Sequence, residues 1–280
     1  MLSTFFKTKP VVDAVSKEWI FDTFVWCIEE LDGAFFHQES QLILPSNSFY
    51  PGSVTSVAAM ADSIFTHTSK YTGMTSWPIK LVPAETFIPR AMQQLFFESR
   101  LRGEDCKVHY SPSYKHSTEL NKSRLNDEDA PQIDIAFHPS QLNQPQDLIA
   151  YLVQKQASIL ISQRGIAAPG GKAVLAQTID LISCFMGFGV IFANTAYQFR
   201  GGCGSCNNPH LNRKSALPEL ETVYALALFS LLKGVDNKQI KKVLKSHLYK
   251  SFRQAHKEIS LYLTQTTHLK HRQLMNKDNN

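Results

Sequence analysis

Between Asp13 and Leu31 the apolar positions Val15, Trp19, Ile20, Phe24, Cys27, Ile28 and Leu31 recur three and four residues apart. That spacing lines one face of a helix, with Asp13 placed as its N-cap and Asp32-Gly33 as its stop. From Phe35 to Leu44 the pattern alternates loosely and runs into the turn-rich PSNSFYPGS, which predicts a strand and a loop. Helical spacing returns over Ser53–Thr68 through Val57, Met60, Ala61, Ile64 and Phe65. A second strand is expected over Trp77–Val82, and a helix over Ala91–Glu98 after an irregular piece bracketed by Pro83 and Pro89. The stretch His109–Ala130 is polar and poor in large aliphatic residues, so it reads as a loop. IDIAF at 133–137 reads as a short strand ending at His138-Pro139.

The second half changes period. Helices are expected over Pro145–Ser162, Ala173–Ala196 and Leu217–Lys233, with Pro145 and Pro218 in first turns and Gly234 just past the third. Two basic helices follow. Within the second of these five helices, Leu181–Ala193 carries no charge, but it is shorter than the roughly 20 residues a membrane span needs. A buried core helix is the expectation. The pattern as a whole predicts an α+β fold in one compact domain over 1–265, mixed over 1–143 and helical over 144–265, with a polar tail over 266–280.

Composition adds constraints on class. With 43% hydrophobic residues in 280, the chain can bury a large core. The opening MLSTFFKTKPVVD lacks an apolar run followed by a small-residue cleavage site, and five cysteines (27, 106, 184, 203, 206) make no disulfide framework. Both point to the cytoplasm. The net charge of +5 is concentrated at one end: residues 236–272 hold nine Lys or Arg against Asp236 and Glu258. Lys241, Lys242, Lys245, Lys250 and Arg253 alternate with Ile240, Val243, Leu244, Leu248, Tyr249 and Phe252. Such a face is usually the solvated side of a docked helix; as a binding surface it would suit nucleic acid or an anionic surface.

The stretch YLVQKQASILIS at 151–162 raises the question of chemistry, because Gln154, Lys155 and Ser158 stand at offsets i, i+1 and i+4. In a zinc-hydrolase helix of HExxH type these offsets carry two imidazole ligands and the carboxylate that takes a proton from the metal-bound water. The surrounding FHPSQLNQPQDLIAYLVQKQASIL, TIDLISCFMGFGVIFANTAYQF, FRGGCGSCNNP and LETVYALALFSLLKG resemble an uncharacterised bacterial zincin-like family. Its pattern is a strand ending near Pro, a helix like AHELAHYL and then a helix like TDLLAVFMGFG.

The resemblance covers most of residues 133–234 and implies a zincin-like fold. It places the first His on Gln154, the Glu on Lys155, the second His on Ser158 and an acidic third ligand on Asp180. An amide and a hydroxyl are poor zinc ligands beside imidazole, and an ammonium at Lys155 would repel the ion. The resemblance therefore implies a relic pocket, in which Lys155 would pair with Asp180. The competing reading is plainer: Gln154, Lys155, Ser158 and Ser162 are the solvated side of an apolar helix.

FRGGCGSCNNPH holds the other concentrated signal. Cys203 and Cys206 have the CxxC spacing of a zinc knuckle, with glycines that permit its tight backbone and His210 as a further ligand. A candidate structural zinc, a redox pair and two plain thiols all fit this loop. His138 could be a site residue or a hydrogen-bonded structural one, and Cys106 with His109 would make a poor nucleophile and base pair. The GFG at 187–189 reads as small residues allowing close helix packing. The expectation is a catalytically inactive relative of zinc metallopeptidase-like proteins that acts by binding or assembly, with an unidentified protein as its partner. The alternatives are a metal-dependent hydrolase with non-standard ligands and a nucleic-acid or anionic-surface binder.

Overall fold

Asp13 caps the first helix as its position predicts. In the computed structural model, which describes residues 9–52, 56–110, 132–196 and 214–274, α1 spans Ala14–Glu30 and the Asp13 carboxylate accepts from the Ser16 backbone N–H. Ile20, Phe21, Phe24 and Cys27 on this helix are fully buried.

Beyond it the chain departs from the expectation. Phe35–Leu44 is not a strand: α2 spans Gly33–Gln38, and Asp32, with φ 74°, accepts from the Phe35 N–H at its start. A strand would send consecutive side chains to opposite faces, whereas Phe35 and Phe36 are both buried here and Phe36 stacks on Phe185 at 4.5 Å. Helix α3 then runs Val57–Thr72, capped by the Ser56 side chain and ended by Gly73.

Among the described residues, four short strands make two separate pairs. β1 (Ile79–Pro83) and β4 (Ile133–Phe137) are parallel, with Leu81 opposite Ile135. β2 (Leu95–Phe97) and β3 (Val108–Tyr110) are antiparallel. The helix expected over Ala91–Glu98 does not form. The Gln163 side chain holds that segment extended, accepting from the Leu95 N–H at 2.7 Å and donating to the Gln93 carbonyl at 2.8 Å. Of the expected loop, His109 lies in β3 and residues 111–131 fall outside the described ones.

Helix α4 spans Pro145–Arg164 and stops at Gly165. The single helix expected over Ala173–Ala196 is broken: a 3-10 turn at Gly171–Val174 leads into α5 (Leu175–Ser183), a π-turn at Cys184–Phe188 and α6 (Gly189–Asn194). Gly187 has φ 99°, and a Cβ there would meet the Gln41 carbonyl oxygen at 2.1 Å. Its own carbonyl accepts from the Ile43 N–H at 2.9 Å, so the break seats the extended chain at 41–43. Gly189 allows the close packing read from GFG, since a Cβ there would stand 3.0 Å from Leu226.

By length and composition the 24-residue run Gly171–Asn194 could cross a membrane, yet 72% of its most apolar window is buried in the protein. That is how the core helix of a soluble protein looks. Helix α7 (Glu219–Leu232) lies at the centre of the helical part, buried from Thr222 to Ser230 and packed against α6 and α9 (Ser246–Gln265). Between them α8 covers Asn237–Val243. Residues read as the start of a polar tail instead form α10 (Leu269–Gln273), which packs on α1 with His271 and Leu274 buried. The fold is α+β, mostly helical with few short strands.

Candidate functional site

Among the polar side chains that fasten α4 to its neighbours are three glutamines. Gln156, fully buried, accepts from the Thr72 hydroxyl at 2.9 Å and donates to the Ser69 hydroxyl at 2.8 Å, tying α4 to α3. Gln163 holds the 93–95 segment, as above. The third is Gln154, which belongs to the degenerate motif. Its amide donates to Asp180 Oδ1 and to the Lys214 carbonyl, the latter at 3.2 Å.

Asp180 sits on α5 with no exposure to solvent. Its Oδ2 accepts from the backbone N–H groups of Ala216 and Leu217 at 2.9 and 3.0 Å. Among the described residues, three N–H donors from two segments converge on this buried carboxylate, which is how such a charge is tolerated inside a protein. They also pin the chain entering α7.

The pairing expected between Lys155 and Asp180 is not the one that forms. Successive residues on a helix point about 100° apart, so with Gln154 turned toward α5, Lys155 faces solvent. Its Nζ lies 5.4 Å from the Tyr151 ring centroid. Tyr151 itself donates to the Ala136 carbonyl at 2.6 Å, joining α4 to β4, and burial pushes its phenol pKa up. Ser158 is half-buried one turn beyond Gln154. Of the four residues on which the motif falls, the fold thus joins Gln154 to Asp180 and leaves Lys155 outside. Asp180 takes part as a hydrogen-bond acceptor for an amide and two peptide groups.

Cys203, Cys206 and His210 lie outside the described residues. His138 is a capping residue: its Nδ1 accepts from the Ser140 N–H while the Gln141 side chain accepts from the His138 N–H. Cys106 and His109 turn to different partners. The buried Cys106 thiol donates to the Leu101 carbonyl and burial pushes its pKa up. His109 meets Glu98 at 2.6 Å, and this hydrogen bond, with Lys107 nearby, holds the Glu98 carboxyl below its usual range.

Two groups carried no signal in the periodicity. Arg102 is fully buried, donates to the Leu31 carbonyl at 2.9 Å and lies over the Phe35 ring. Asp22, His268 and His271 converge between α1 and α10, drawn from residues about 250 positions apart in sequence. A cavity of about 890 Å³, walled by Phe35, Glu39, Lys70, Tyr71 and Glu104 among others, lies apart from both Gln154 and the histidines. Compared with protein-family models, curated proteins and solved structures, the chain finds no match.

Proposed function

We propose that this protein is a non-catalytic relative of zincin-like metallopeptidases that acts by binding or assembly in the cytoplasm. The observation that carries this reading is the hydrogen-bonded knot of Gln154, Asp180 and the 216–217 backbone. In the resembling pattern the two side-chain positions would be ligands to one ion. Here an amide takes the place of an imidazole and donates to the carboxylate, and the carboxylate is further engaged by two peptide N–H groups. A cation entering would have to displace these donors from a buried site. The position expected for the catalytic carboxylate holds Lys155, an exposed ammonium, which cannot take a proton from a metal-bound water at neutral pH.

Elemental analysis of protein purified without chelator tests this. Zinc absent from the parent, or present and lost on Cys203→Ser/Cys206→Ser substitution, supports the reading; the second result adds a structural zinc at the cysteine loop. Zinc kept by that variant and lost in a folded Asp180→Asn variant would overturn it and return the protein to metal-dependent hydrolases with unusual ligands.

A specific surface favours one kind of partner. Leu248, Phe252, Ala255, Ile259 and Leu263 of α9 are buried, while Lys241, Lys242, Lys245, Lys250 and Arg253 are exposed on α8 and α9 and at the turn between them. Nucleic acid or an anionic surface is the partner class this face suits, and binding there would weaken steeply with salt. Retention on immobilised DNA that is insensitive to salt, or unchanged by Lys241→Ala/Lys242→Ala, would remove that reading and leave a protein partner.

A further inference from the structure

Among the described residues, three metal-ligating side chains converge at one place only, and it is neither the α4 motif nor the cysteine loop. We propose that Asp22, His268 and His271 form a binding site for a first-row divalent ion, zinc foremost, with one coordination position facing the adjoining cavity. The ligand atoms of these three residues all lie within 4.8 Å of one another. His268 is the N-cap of α10 and His271 lies in its first turn, and the two rings stack. Asp22 is presented to them by α1.

His271 is already held as a ligand would be. It is 1% exposed, and its Nδ1 contacts the Tyr262 hydroxyl at 2.8 Å while its Nε2 faces Asp22 Oδ1 at 2.8 Å. A partner on the far ring nitrogen is what orients metal-bound imidazoles. On binding, the ion takes the Nε2 lone pair facing Asp22, and the ring keeps its one proton on Nδ1, where it is donated to the Tyr262 oxygen, so a neutral imidazole releases no proton. His268 is exposed and stacks on His271 with centroids 3.9 Å apart and planes 18° from parallel. Its lone pair must turn toward the other two ligands, a rotation that an exposed ring makes at little cost. Zinc accepts nitrogen and carboxylate oxygen at about 2.0–2.2 Å, so the closure falls on His268 and not on the buried His271.

The surroundings also point to a ligand. A cavity of about 370 Å³ adjoins the site, walled by Asp22, Val25, Trp26, Glu29, Pro169, His268 and Lys270. Three protein ligands leave a fourth position of a tetrahedral ion for water or a small anion on this side. The indole N–H of Trp26, in the same wall, has no hydrogen-bond partner among the described residues. Lys270 opposes a cation, but it is exposed and can carry its charge into solvent. The rival account is a polar clasp that merely docks α10 on α1.

Titration calorimetry separates the two. Chelator-stripped protein carrying Cys203→Ser/Cys206→Ser is titrated with zinc chloride, and one equivalent is expected to bind. Adding His268→Ala should abolish that binding while leaving the far-ultraviolet circular dichroism unchanged, since His268 is exposed. Tyr262→Phe should weaken it about 10- to 100-fold, and His247→Ala on α9 should leave it unaltered. If the cysteine variant fails to fold, the same substitutions are made in the parent, where His268→Ala should remove one equivalent. Zinc binding untouched by His268→Ala, or no binding to the folded protein, overturns the proposal. Because Asp180 is not altered, neither result depends on the reading of the α4 motif.

Discussion

Asp180 and Asp22 are both carboxylates at helix contacts, yet their surroundings make opposite chemistry available. Asp180 is fully buried between α5 and the entry to α7, and an amide and two peptide N–H groups converge on it. Asp22 is partly exposed, meets an imidazole and opens on a cavity. What separates them is the identity of the neighbouring groups. Donors of hydrogen bonds around a carboxylate compete with a cation for its lone pairs, while imidazoles supply lone pairs of their own to add to it. The region that resembles a metal site in sequence is therefore the one built to hold the fold, and the region without any motif has the ligand chemistry.

The largest expected effect comes from Asp180→Ala, which strands the N–H groups of Ala216 and Leu217 and the Gln154 amide. It should lower stability by roughly 3–5 kcal/mol in urea denaturation; a loss under about 1 kcal/mol would break the contrast by showing the knot to be incidental. Next, zinc at a hundred times its dissociation constant should stabilise the parent by about 2.7 kcal/mol, read as a raised Tm that disappears in His268→Ala. Gln154→Ala should destabilise by about 1–2 kcal/mol, whereas Lys155→Ala beside it should stay within about 0.5 kcal/mol. Equal effects at these two neighbours would argue that the helix face is simply solvated.

The smallest effect is on pH dependence. Burial holds the half-buried His256 imidazole, beside Phe252 on α9, below its ordinary value. The folded state thus binds this proton less readily than the unfolded chain. The stability this contributes is complete above about pH 6.5 and is lost as pH falls through the lower folded value. His256→Gln should flatten that part of the stability profile, and an unchanged slope would assign acid sensitivity elsewhere.

Some of the helices were legible because their signals are local. Asp13 and Gly234 mark helix ends by chemistry that needs only a few neighbours, and Ile240, Leu244, Leu248 and Phe252 of the apolar face read over the basic helices are buried. The strand misread at 35–44 and the helix misread at 91–98 fail for one reason. Their conformations are set by distant groups, Phe185 against Phe36 and Gln163 against residues 93–95, which no window of local periodicity includes. The candidate site divides the same way: the offsets of Gln154, Lys155 and Ser158 stand out in the string, but which of them reaches Asp180 depends on how α4 is rotated against α5.

By itself the sequence determined that this chain folds as an α+β protein with a helical second half, where the helices at 14–30, 145–164 and 219–232 begin and end to within about two residues, and that its positive charge gathers on the last helices. Periodicity and capping act over a turn or two, so they are written in neighbouring residues. Only the tertiary structure decided that Gln154 and not Lys155 meets Asp180, that a glycine breaks the apolar helix to seat residues 41–43, and that Asp22 meets His271. Each of these joins residues at least 26 positions apart, and such a meeting exists only once the helices have packed.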